Sequence, residues 1–438
     1  MKGKTLKASL LTLGCKVNQA ESEAVAQLLA QAGYQIVQEE EDPDVIIINT
    51  CTVTGTGSSK SRKLIRKLAK EHPLSTIVVM GCYSQIKPEE VAELEGVDII
   101  IGTQDRQKIV EYLQNINCLG TGKKPLSVVR QFGEKAVYEE LPLIEYESRA
   151  RAMLKIQDGC SQFCTYCIIP YARGPSRSRD PEKVLAEAEK LLASGYKEIV
   201  LTGVHIGAYG LDLDRHNFDL AELLKELVRL PGMVRLRLGS IEPLEFTPKL
   251  LEVVTESDVV CPHFHIPLQS GSNTILVRMH RPYSTEDYSQ LLTKIRSRLP
   301  EAAIATDILT GFPGETEENH QEALRFVAGC NFAGIHVFPY SRREGTPAAS
   351  MPEQIPNNVK ASRVRDYMQI AQESRKRYVR QFLGKPLEVL LETIQQDGSA
   401  LGHTRNYLEV KLPPVLNPGN WQVGDLVECI LHEEYIEE

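Results

Sequence analysis

Asp158-Gly-Cys-Ser-Gln-Phe-Cys-Thr-Tyr-Cys167 spaces three cysteines as C-x3-C-x2-C. Three thiolates on one short loop can bind three corners of a cubane [4Fe–4S] cluster and leave the fourth iron open. An open iron at a low-potential cluster can bind a cofactor and pass it one electron. The alternative is a zinc knuckle or buried thiols, but zinc sites usually combine two cysteine pairs, and no partner pair lies nearby. The spacing therefore predicts a cluster at Cys160, Cys164 and Cys167.

The composition indicates a soluble, multidomain protein. With 438 residues, the chain is too long for one ordinary core. No apolar run reaches the roughly 18 residues that span a bilayer, and the N-terminus lacks the features of a signal peptide. Ten cysteines are too few and too unevenly placed for a disulfide scaffold. We expect a cytoplasmic protein with no membrane association.

The charge is unevenly distributed. The net charge is −8, which does not by itself indicate nucleic-acid binding. However, Ser59–Lys70 carries six basic and no acidic residues, and Arg375–Arg380 forms a second basic cluster. A solvated helix face explains either segment, and contact with RNA phosphates is the alternative.

The first hundred residues contain three apolar runs that each end in a cysteine. These runs are Ala8–Cys15, Val45–Cys51 and Thr76–Cys82. Their Ile and Val content predicts strands buried on both faces, hence a parallel sheet. Residues 18–33 and 58–71 have helical spacing, which gives a βαβαβ order.

The cysteines at the ends of these runs predict a second site. The carboxyl ends of parallel strands meet at one sheet edge, where ligands bind. Cys15, Cys51 and Cys82 can therefore converge there and hold a second cluster with an open iron. Each cysteine taken alone is more commonly a small buried hydrophobe. We expect the other cysteines, Cys118, Cys261, Cys330 and Cys429, to be structural.

The middle of the chain alternates strand-like and helical runs. Residues 119–148 are predicted to be a connector. Six strands follow, at residues 153–157, 198–202, 235–239, 263–267, 304–310 and 334–338. Six βα units predict a partial (β/α)6 barrel with its site at the carboxyl ends of the strands. From about Tyr378, short strands at 387–392, 408–410 and 426–431 predict a small β-barrel.

With these motifs together, the whole chain resembles the methylthiotransferases, radical S-adenosylmethionine (SAM) enzymes that insert sulfur and methylate it. The resemblance implies an α/β N-terminal cluster domain at 1–118, a linker at 119–148, a radical SAM barrel at 149–376 and a C-terminal TRAM domain at 377–438. It implies two [4Fe–4S] clusters, on the two cysteine triads, and SAM as cofactor. In this family SAM binds the open iron and yields a 5′-deoxyadenosyl radical.

Two short segments resemble one branch of the family. Lys16-Val17 follows Cys15 where the branch that acts on isopentenyladenosine usually has Gln-Met, and Thr404–Val410 also fits the threonylcarbamoyladenosine branch. This resemblance implies methylthiolation of N6-threonylcarbamoyladenosine next to the anticodon of tRNA. The same reaction on isopentenyladenosine, or on an aspartate of a ribosomal protein, is the alternative.

The resemblance also implies SAM-binding residues. Tyr166 precedes the last cysteine of the loop, and Gly203 can allow close approach of the SAM amino group. The other predicted cofactor-binding residues are Gln269, Ser270, Arg177 and Asp307. Each of these stretches can also be an ordinary loop with turn residues. No catalytic residue beyond the cluster ligands is predicted.

The expected partners are a tRNA anticodon stem-loop and an electron donor such as flavodoxin or ferredoxin, with the enzyme a monomer. The C-terminal domain departs from an RNA-binding composition, because residues 385–438 hold three Lys or Arg against ten Asp or Glu. A different class of function is a non-catalytic electron carrier. Such a carrier would have every iron bound by protein, whereas each site here offers three cysteines.

Overall fold

The structure is a computed structural model of the chain. It describes residues 5–52, 55–116, 124–133, 136–142, 150–215, 217–417 and 419–436. Cys118 and much of the predicted connector lie outside these residues, so the predictions for them stay predictions.

The N-terminal region is a six-stranded, fully parallel sheet with strand order β2-β1-β3-β4-β5-β6. Its strands are β1 Lys7–Thr12, β2 Gln35–Ile36, β3 Val45–Thr50, β4 Thr76–Gly81, β5 Ile99–Ile100 and β6 Leu126–Ser127. Its helices are α1 Lys16–Gln31, α2 Gly55–Glu71, α3 Cys82–Ile86, α4 Pro88–Ala92 and α5 Ile109–Ile116. The predicted parallel α/β sheet is confirmed.

Both faces of this sheet are covered, which explains its continuous apolar strands. All six residues of β3 are buried. Alternate residues of a strand point to opposite faces, so Ile47 packs in one cluster with Val25 of α1, and Ile48 packs in another with Ile65 of α2. The sheet edge that follows β1, β3 and β4 carries the three cysteines.

The central region contains two three-stranded parallel sheets, β7-β10-β11 and β12-β13-β14. An isolated parallel bridge between Leu236 and Val260 links them, so six strands follow one another in chain order. The strands are β7 Arg151–Lys155, β10 Glu198–Thr202, β11 Arg235–Leu238, β12 His263–His265, β13 Ala303–Thr310 and β14 Gly334–Pro339. The predicted partial (β/α)6 barrel is confirmed.

The helices of this region are α6 Ile169–Arg173, α7 Pro181–Ala193, α8 Leu220–Leu227, α9 Pro248–Glu256, α10 Asn273–Arg278, α11 Thr285–Arg298, α12 Glu317–Gly329, α13 Pro347–Ser350 and α14 Asn357–Arg380. A short antiparallel pair, β8 Gln157–Asp158 and β9 Arg177–Ser178, joins the two ends of the cysteine loop. This pairing had no signal in the sequence pattern.

The C-terminal region is a four-stranded antiparallel sheet with order β17-β16-β15-β18. The strands are β15 Pro386–Ile394, β16 Ala400–Thr404, β17 Glu409–Leu412 and β18 Leu426–Ile430. A bridge between Val410 and Ile436 brings the end of the chain back to β17. Strand β16 was not predicted, because Gly402 weakens the strand signal; a Cβ there would lie 2.2 Å from the Leu390 carbonyl oxygen.

Helix α14 runs continuously across the predicted domain boundary at 376–377. Its last turn contributes Tyr378 and Val379 to the C-terminal core, together with Phe382 just beyond it. Among the described residues, no helix is long and apolar enough to cross a membrane.

Candidate functional site

The first cysteine site is a loop tied at its base. Cys160 N–H donates to the Gly174 carbonyl at 3.0 Å, and Cys167 N–H donates to the Cys164 carbonyl at 2.9 Å. Gly159, just before the loop, has φ +75°, and a Cβ there would lie 2.0 Å from the Pro175 carbonyl oxygen. Only glycine can lie so close to this carbonyl, and the chain turns here to begin the loop that carries the three thiols.

The thiols of this loop are close enough to affect one another. Burial, together with the neighbouring Cys164 and Cys160, raises the pKa of Cys167 to about 12. Burial also raises the pKa of Cys164, but Arg281 opposes this rise by donating from Nη1 to its Sγ at 3.1 Å. Cluster binding requires thiolates, so each of these thiols must lose its proton when iron binds.

Two further groups touch the loop site. His205 Nδ1 lies 3.6 Å from Cys160 Sγ, and its Nε2 lies 2.5 Å from Glu245 Oε1. Burial would lower the pKa of His205, but hydrogen bonds with Cys160 and Glu245 raise it to about 10. On its other side, Arg281 forms an ion pair with Glu242.

The second cysteine site lies at the edge of the N-terminal sheet. Cys15 is the N-cap of α1, Cys51 follows β3, and Cys82 begins α3 directly after β4. Gly14 has φ +118°, and a Cβ there would lie 3.2 Å from Cys51 Sγ. The ends of β1 and β3 therefore bring Cys15 and Cys51 side by side.

Asn18 fixes these strand ends. Its buried side-chain amide donates to the carbonyls of Leu13 and Thr50 at 3.1 and 3.0 Å, and to Asn49 Oδ1 at 3.1 Å. The Cys15 thiol lies 3.5 Å from Asn18 Oδ1. One asparagine thus holds the chain segments that carry Cys15 and Cys51.

Cationic side chains also surround the second site. Burial raises the pKa of Cys82 to about 12; Arg173 opposes the rise, whereas Cys15 and Cys51 add to it. Burial lowers the pKa of Arg343, and the nearby Cys51 opposes that effect. Cys15 and Cys51 both affect the pKa of Cys82, so the three thiols lie near one another at this sheet edge, and their binding of a cluster stays a prediction.

A buried ionic network lies between the two cysteine sites. Arg173 Nη1 donates to Glu21 Oε1 at 2.7 Å and to Asp158 Oδ1 at 3.0 Å, and its Nη2 donates to Asn18 Oδ1 at 2.9 Å. Lys155 Nζ donates to Glu21 at 2.7 Å and to Asp158 at 2.8 Å. Because Asn18 borders one site and Asp158 precedes the other, the network joins them through charged groups that are almost fully buried.

Three of the predicted SAM-binding residues follow barrel strands, Gly203 after β10 and Gln269 and Ser270 after β12, whereas Asp307 lies within β13. A Cβ on Gly203 would lie 2.9 Å from the Gln157 carbonyl oxygen, so protein packing alone already requires glycine there. Gln269 has φ +65° and bridges to β13 through Asp307 and Leu309. Ser270 is buried, and its Oγ accepts from Ser272 N–H.

The other three predicted residues have protein partners. Tyr166 packs against an apolar cluster that contains Phe312, and burial raises its pKa well above the ordinary value. Arg177 donates to the carbonyls of Arg173 and Pro175, both at 2.7 Å. Asp307 accepts hydrogen bonds from two histidines.

Known proteins match the chain along most of its length. The family model described as uncharacterized protein family UPF0004 matches residues 7–102, and that of the radical SAM superfamily matches residues 154–327. The threonylcarbamoyladenosine tRNA methylthiotransferase MtaB of Bacillus subtilis is 45% identical over 91% of this chain and 88% of its own. The chain belongs to the radical SAM tRNA methylthiotransferases.

Two further proteins are similar to the chain, one in sequence and one in fold. A tRNA-2-methylthio-N(6)-dimethylallyladenosine synthase of Pelotomaculum thermopropionicum is 37% identical to this chain, over 91% of this chain and 90% of its own. The radical SAM methyltransferase TsrM of Kitasatospora setae, solved with cobalamin and a [4Fe–4S] cluster, has a TM-score of 0.59. It is 15% identical and covers 79% of this chain and 77% of its own, which shows the shared fold.

The methylthiotransferase therefore uses SAM and [4Fe–4S] clusters. The residues present fit such clusters, because each site groups three thiols and provides neighbouring arginines that can offset the negative charge of thiolates.

Sequence reasoning missed several residues of these sites. Glu242, Arg281 and Arg343 lie far in sequence from the cysteine sites that they border, and Glu21 contacts Arg173, which is 152 residues away in sequence. The one available signal is the position of Glu21, a charged residue on the otherwise buried face of α1. A buried charge without a local partner indicates a distant one.

Proposed function

We propose that the methylthiotransferase converts N6-threonylcarbamoyladenosine next to the anticodon of tRNA to its 2-methylthio derivative, with SAM as both radical source and methyl donor. The main support is the 45% identity to a relative named for this substrate, together with Lys16 directly after Cys15. A relative named for the dimethylallyl substrate is 37% identical, so that reaction is the alternative outcome of the test.

We propose that Cys160, Cys164 and Cys167 bind the cluster that activates SAM. The second triad, Cys15, Cys51 and Cys82, would bind the auxiliary cluster. When bound, these groups supply one-electron chemistry and sulfur at carbon two of the purine. That carbon has no acidic proton, so no side-chain base can activate it by deprotonation.

The protein's own residues would orient these groups and screen their charge. Arg281, donating to Cys164, would favour the thiolate form in the loop site, and Arg173 would do so for Cys82 in the auxiliary site. Gly203, Gln269 and Ser270 follow the strands β10 and β12, and Asp307 lies within β13, on the side of the barrel where SAM would be held. Tyr166 packs behind the loop. Arg177 would act by bracing the loop through its carbonyl contacts.

For chemistry at carbon two, the nucleotide must leave the stack of the anticodon loop. A loop base needs less unstacking free energy than a duplex base. Helix α2 offers exposed cations for the phosphates of the stem, since Lys60, Lys63 and Arg66 are exposed and form no ion pair among the described residues. The acidic C-terminal region, the predicted TRAM domain, would contribute by shape and stacking.

Replacing Lys60, Lys63 and Arg66 by Ala tests this electrostatic role. Each phosphate contact that is lost should lower the slope of log affinity against log salt by about one. An unchanged affinity and slope for tRNA would exclude α2 from the interface. A matched control removes three exposed charges elsewhere, for example Lys183, Lys190 and Lys294.

The decisive experiment for the reaction is mass spectrometry of tRNA nucleosides from cells with and without this chain. Loss of methylthio-threonylcarbamoyladenosine, with the unmethylthiolated form accumulating, supports the proposal. Loss of methylthio-isopentenyladenosine instead would favour the alternative substrate. Unchanged tRNA would direct the search to an aspartate of a ribosomal protein. We further propose that a flavodoxin or ferredoxin supplies the electron and that the enzyme acts as a cytoplasmic monomer.

A further inference from the structure

Three separate parts of the chain meet at the side chain of Tyr407. Tyr407 lies in the turn between β16 and β17, with φ +65°. Its ring stacks on His403 of the same sheet and on His263 at the start of β12, both at 4.5 Å between centroids. Lys16, next to Cys15 in the N-terminal region, places its Nζ 5.7 Å from the same ring.

The cations around Tyr407 are not equivalent. Arg237 lies 4.7 Å from the ring but is paired with Glu198, its Nε to Oε1 at 2.7 Å. Arg151 lies 5.6 Å away and is paired with Glu392 at 2.8 Å. Lys16 is exposed and forms no ion pair with any carboxylate in the described part of the chain. Of these three cations around the Tyr407 ring, Lys16 is the one with no carboxylate partner among the described residues.

The surrounding histidines also point to an anion. His263 Nδ1 is buried and has no hydrogen-bond partner among the described residues. Burial, Arg237 and Lys16 hold the pKa of His263 well below the ordinary value, so the ring is neutral and its Nδ1 can carry the proton. A buried polar atom without a partner is uncommon, so this Nδ1 is available to hydrogen-bond a ligand. The one nearby carboxylate of β13, Asp307, is already bonded to His265 and His336.

We propose that Lys16, His263 and Tyr407 form a pocket for the carboxylate of the substrate's N6 threonyl group. Lys16 would form the ion pair, the His263 N–H would donate a hydrogen bond, and Tyr407 would close the pocket. This inference rests on the proposed function and specifies how it selects its substrate. An isopentenyl group is neutral and would leave the Lys16 charge without a partner.

The position of the pocket favours a substrate carboxylate over a phosphate of the tRNA backbone. Lys16 adjoins Cys15, so the pocket lies beside the site where sulfur would be delivered to the purine.

The test compares three anticodon stem-loop RNAs that differ at one adenosine. They carry threonylcarbamoyladenosine, its methyl ester and unmodified adenosine. Binding of iron-loaded wild type, Lys16→Gln, Lys16→Arg and a Lys294→Gln control is followed by fluorescence anisotropy. Lys294 is exposed on α11, away from the junction. Equal iron content in all variants ensures that the cluster sites are intact.

Wild type should bind the free acid about tenfold more tightly than the ester, which is the strength of one charge-assisted contact. Lys16→Gln should remove this preference, Lys16→Arg should keep most of it, and Lys294→Gln should not change it. If Lys16→Gln weakens all three RNAs equally and lowers the salt slope by about one, Lys16 binds a phosphate and the proposal is wrong. A preference for the acid that survives in Lys16→Gln also overturns it.

Methylthiolation of the same RNAs by wild type separates the two proposals. If wild type modifies the acid form while Lys16→Gln keeps its preference, only the pocket is refuted. If wild type modifies none of the RNAs but prefers the acid through Lys16, the pocket stands and the proposed reaction fails.

Discussion

The two cysteine sites are built in different ways. Cys160, Cys164 and Cys167 lie within eight residues on a loop that β8 and β9 tie together at its base. Cys15, Cys51 and Cys82 lie on three different strand ends and meet because β1, β3 and β4 are neighbours in a parallel sheet. The loop site depends on local geometry, whereas the sheet-edge site depends on the register of the whole sheet.

The two sites should differ in how well they tolerate changes in distant packing. A change that leaves the loop intact should leave its three thiols together, even if distant packing loosens. The sheet-edge site has no such independence, since a shift of any one strand end moves one ligand away from the others. The ionic network around Arg173 offsets this weakness by fastening the edge to the loop.

The largest expected effect comes from removing the ligands of one site at a time. Cys15→Ala with Cys51→Ala should lower the iron content from about eight to about four atoms per chain. SAM cleavage to 5′-deoxyadenosine should survive, and methylthiolation should be lost. Cys160→Ala with Cys164→Ala should also leave about four iron atoms but abolish SAM cleavage. Iron analysis and product chromatography measure both, and SAM cleavage by the second variant would contradict the assignment.

Removing Arg173 should affect both sites together. Arg173→Met leaves Glu21 and Asp158 as buried carboxylates with fewer partners, at a cost of about 3–5 kcal/mol in the free energy of unfolding. Urea denaturation measures the change. Arg365→Met, at an exposed position on α14, is the matched control. If Arg173→Met kept the wild-type urea midpoint and the full iron content, the network would not stabilise either site.

Two glycine substitutions separate the sites without touching a ligand. Gly81 has φ +102°, and a Cβ there would lie 2.4 Å from Asn49 Oδ1, so Gly81→Ala should displace Cys82. Gly159→Ala should displace the loop cysteines. Each strained residue costs about 1–3 kcal/mol. We expect Gly81→Ala to lose iron but keep SAM cleavage, and Gly159→Ala to lose SAM cleavage.

The control for this pair is Gly329→Ala, where a Cβ meets nothing within 4 Å and φ is not positive. If Gly81→Ala and Gly159→Ala gave the same losses, the two sites would not be structurally independent.

The smallest expected effect is on the stability of the protein at low pH. Burial alone would raise the pKa of Glu21, but Arg106, Arg173 and Lys155 hold it well below its ordinary value. The stabilisation from this carboxylate is therefore present above the unfolded-state pKa of about 4.3 and is lost as pH falls below it. The gap in urea midpoint between wild type and Glu21→Gln should narrow from about pH 6 to about pH 3. Glu301→Gln, at an exposed pair, should show no such narrowing.

The features that rest on local pattern could be predicted from the order of the residues alone. The C-x3-C-x2-C spacing, the apolar runs of β1, β3 and β4, and the alternation of strands and helices were enough for the parallel sheet, the partial barrel and both cysteine triads. Periodicity and ligand spacing are properties of neighbouring residues, so they can be read along the chain.

The charged groups that contact these sites from distant parts of the chain became apparent only in the folded structure. Arg281 at Cys164, Glu21 at Arg173 and Lys16 at Tyr407 are pairs separated by more than a hundred residues. Charged side chains have no periodic signature that names a partner, because their pairing depends on which surfaces become buried against each other. The two cysteine triads were therefore predictable from the sequence, while the charges that surround them became apparent only when the regions of the chain packed together.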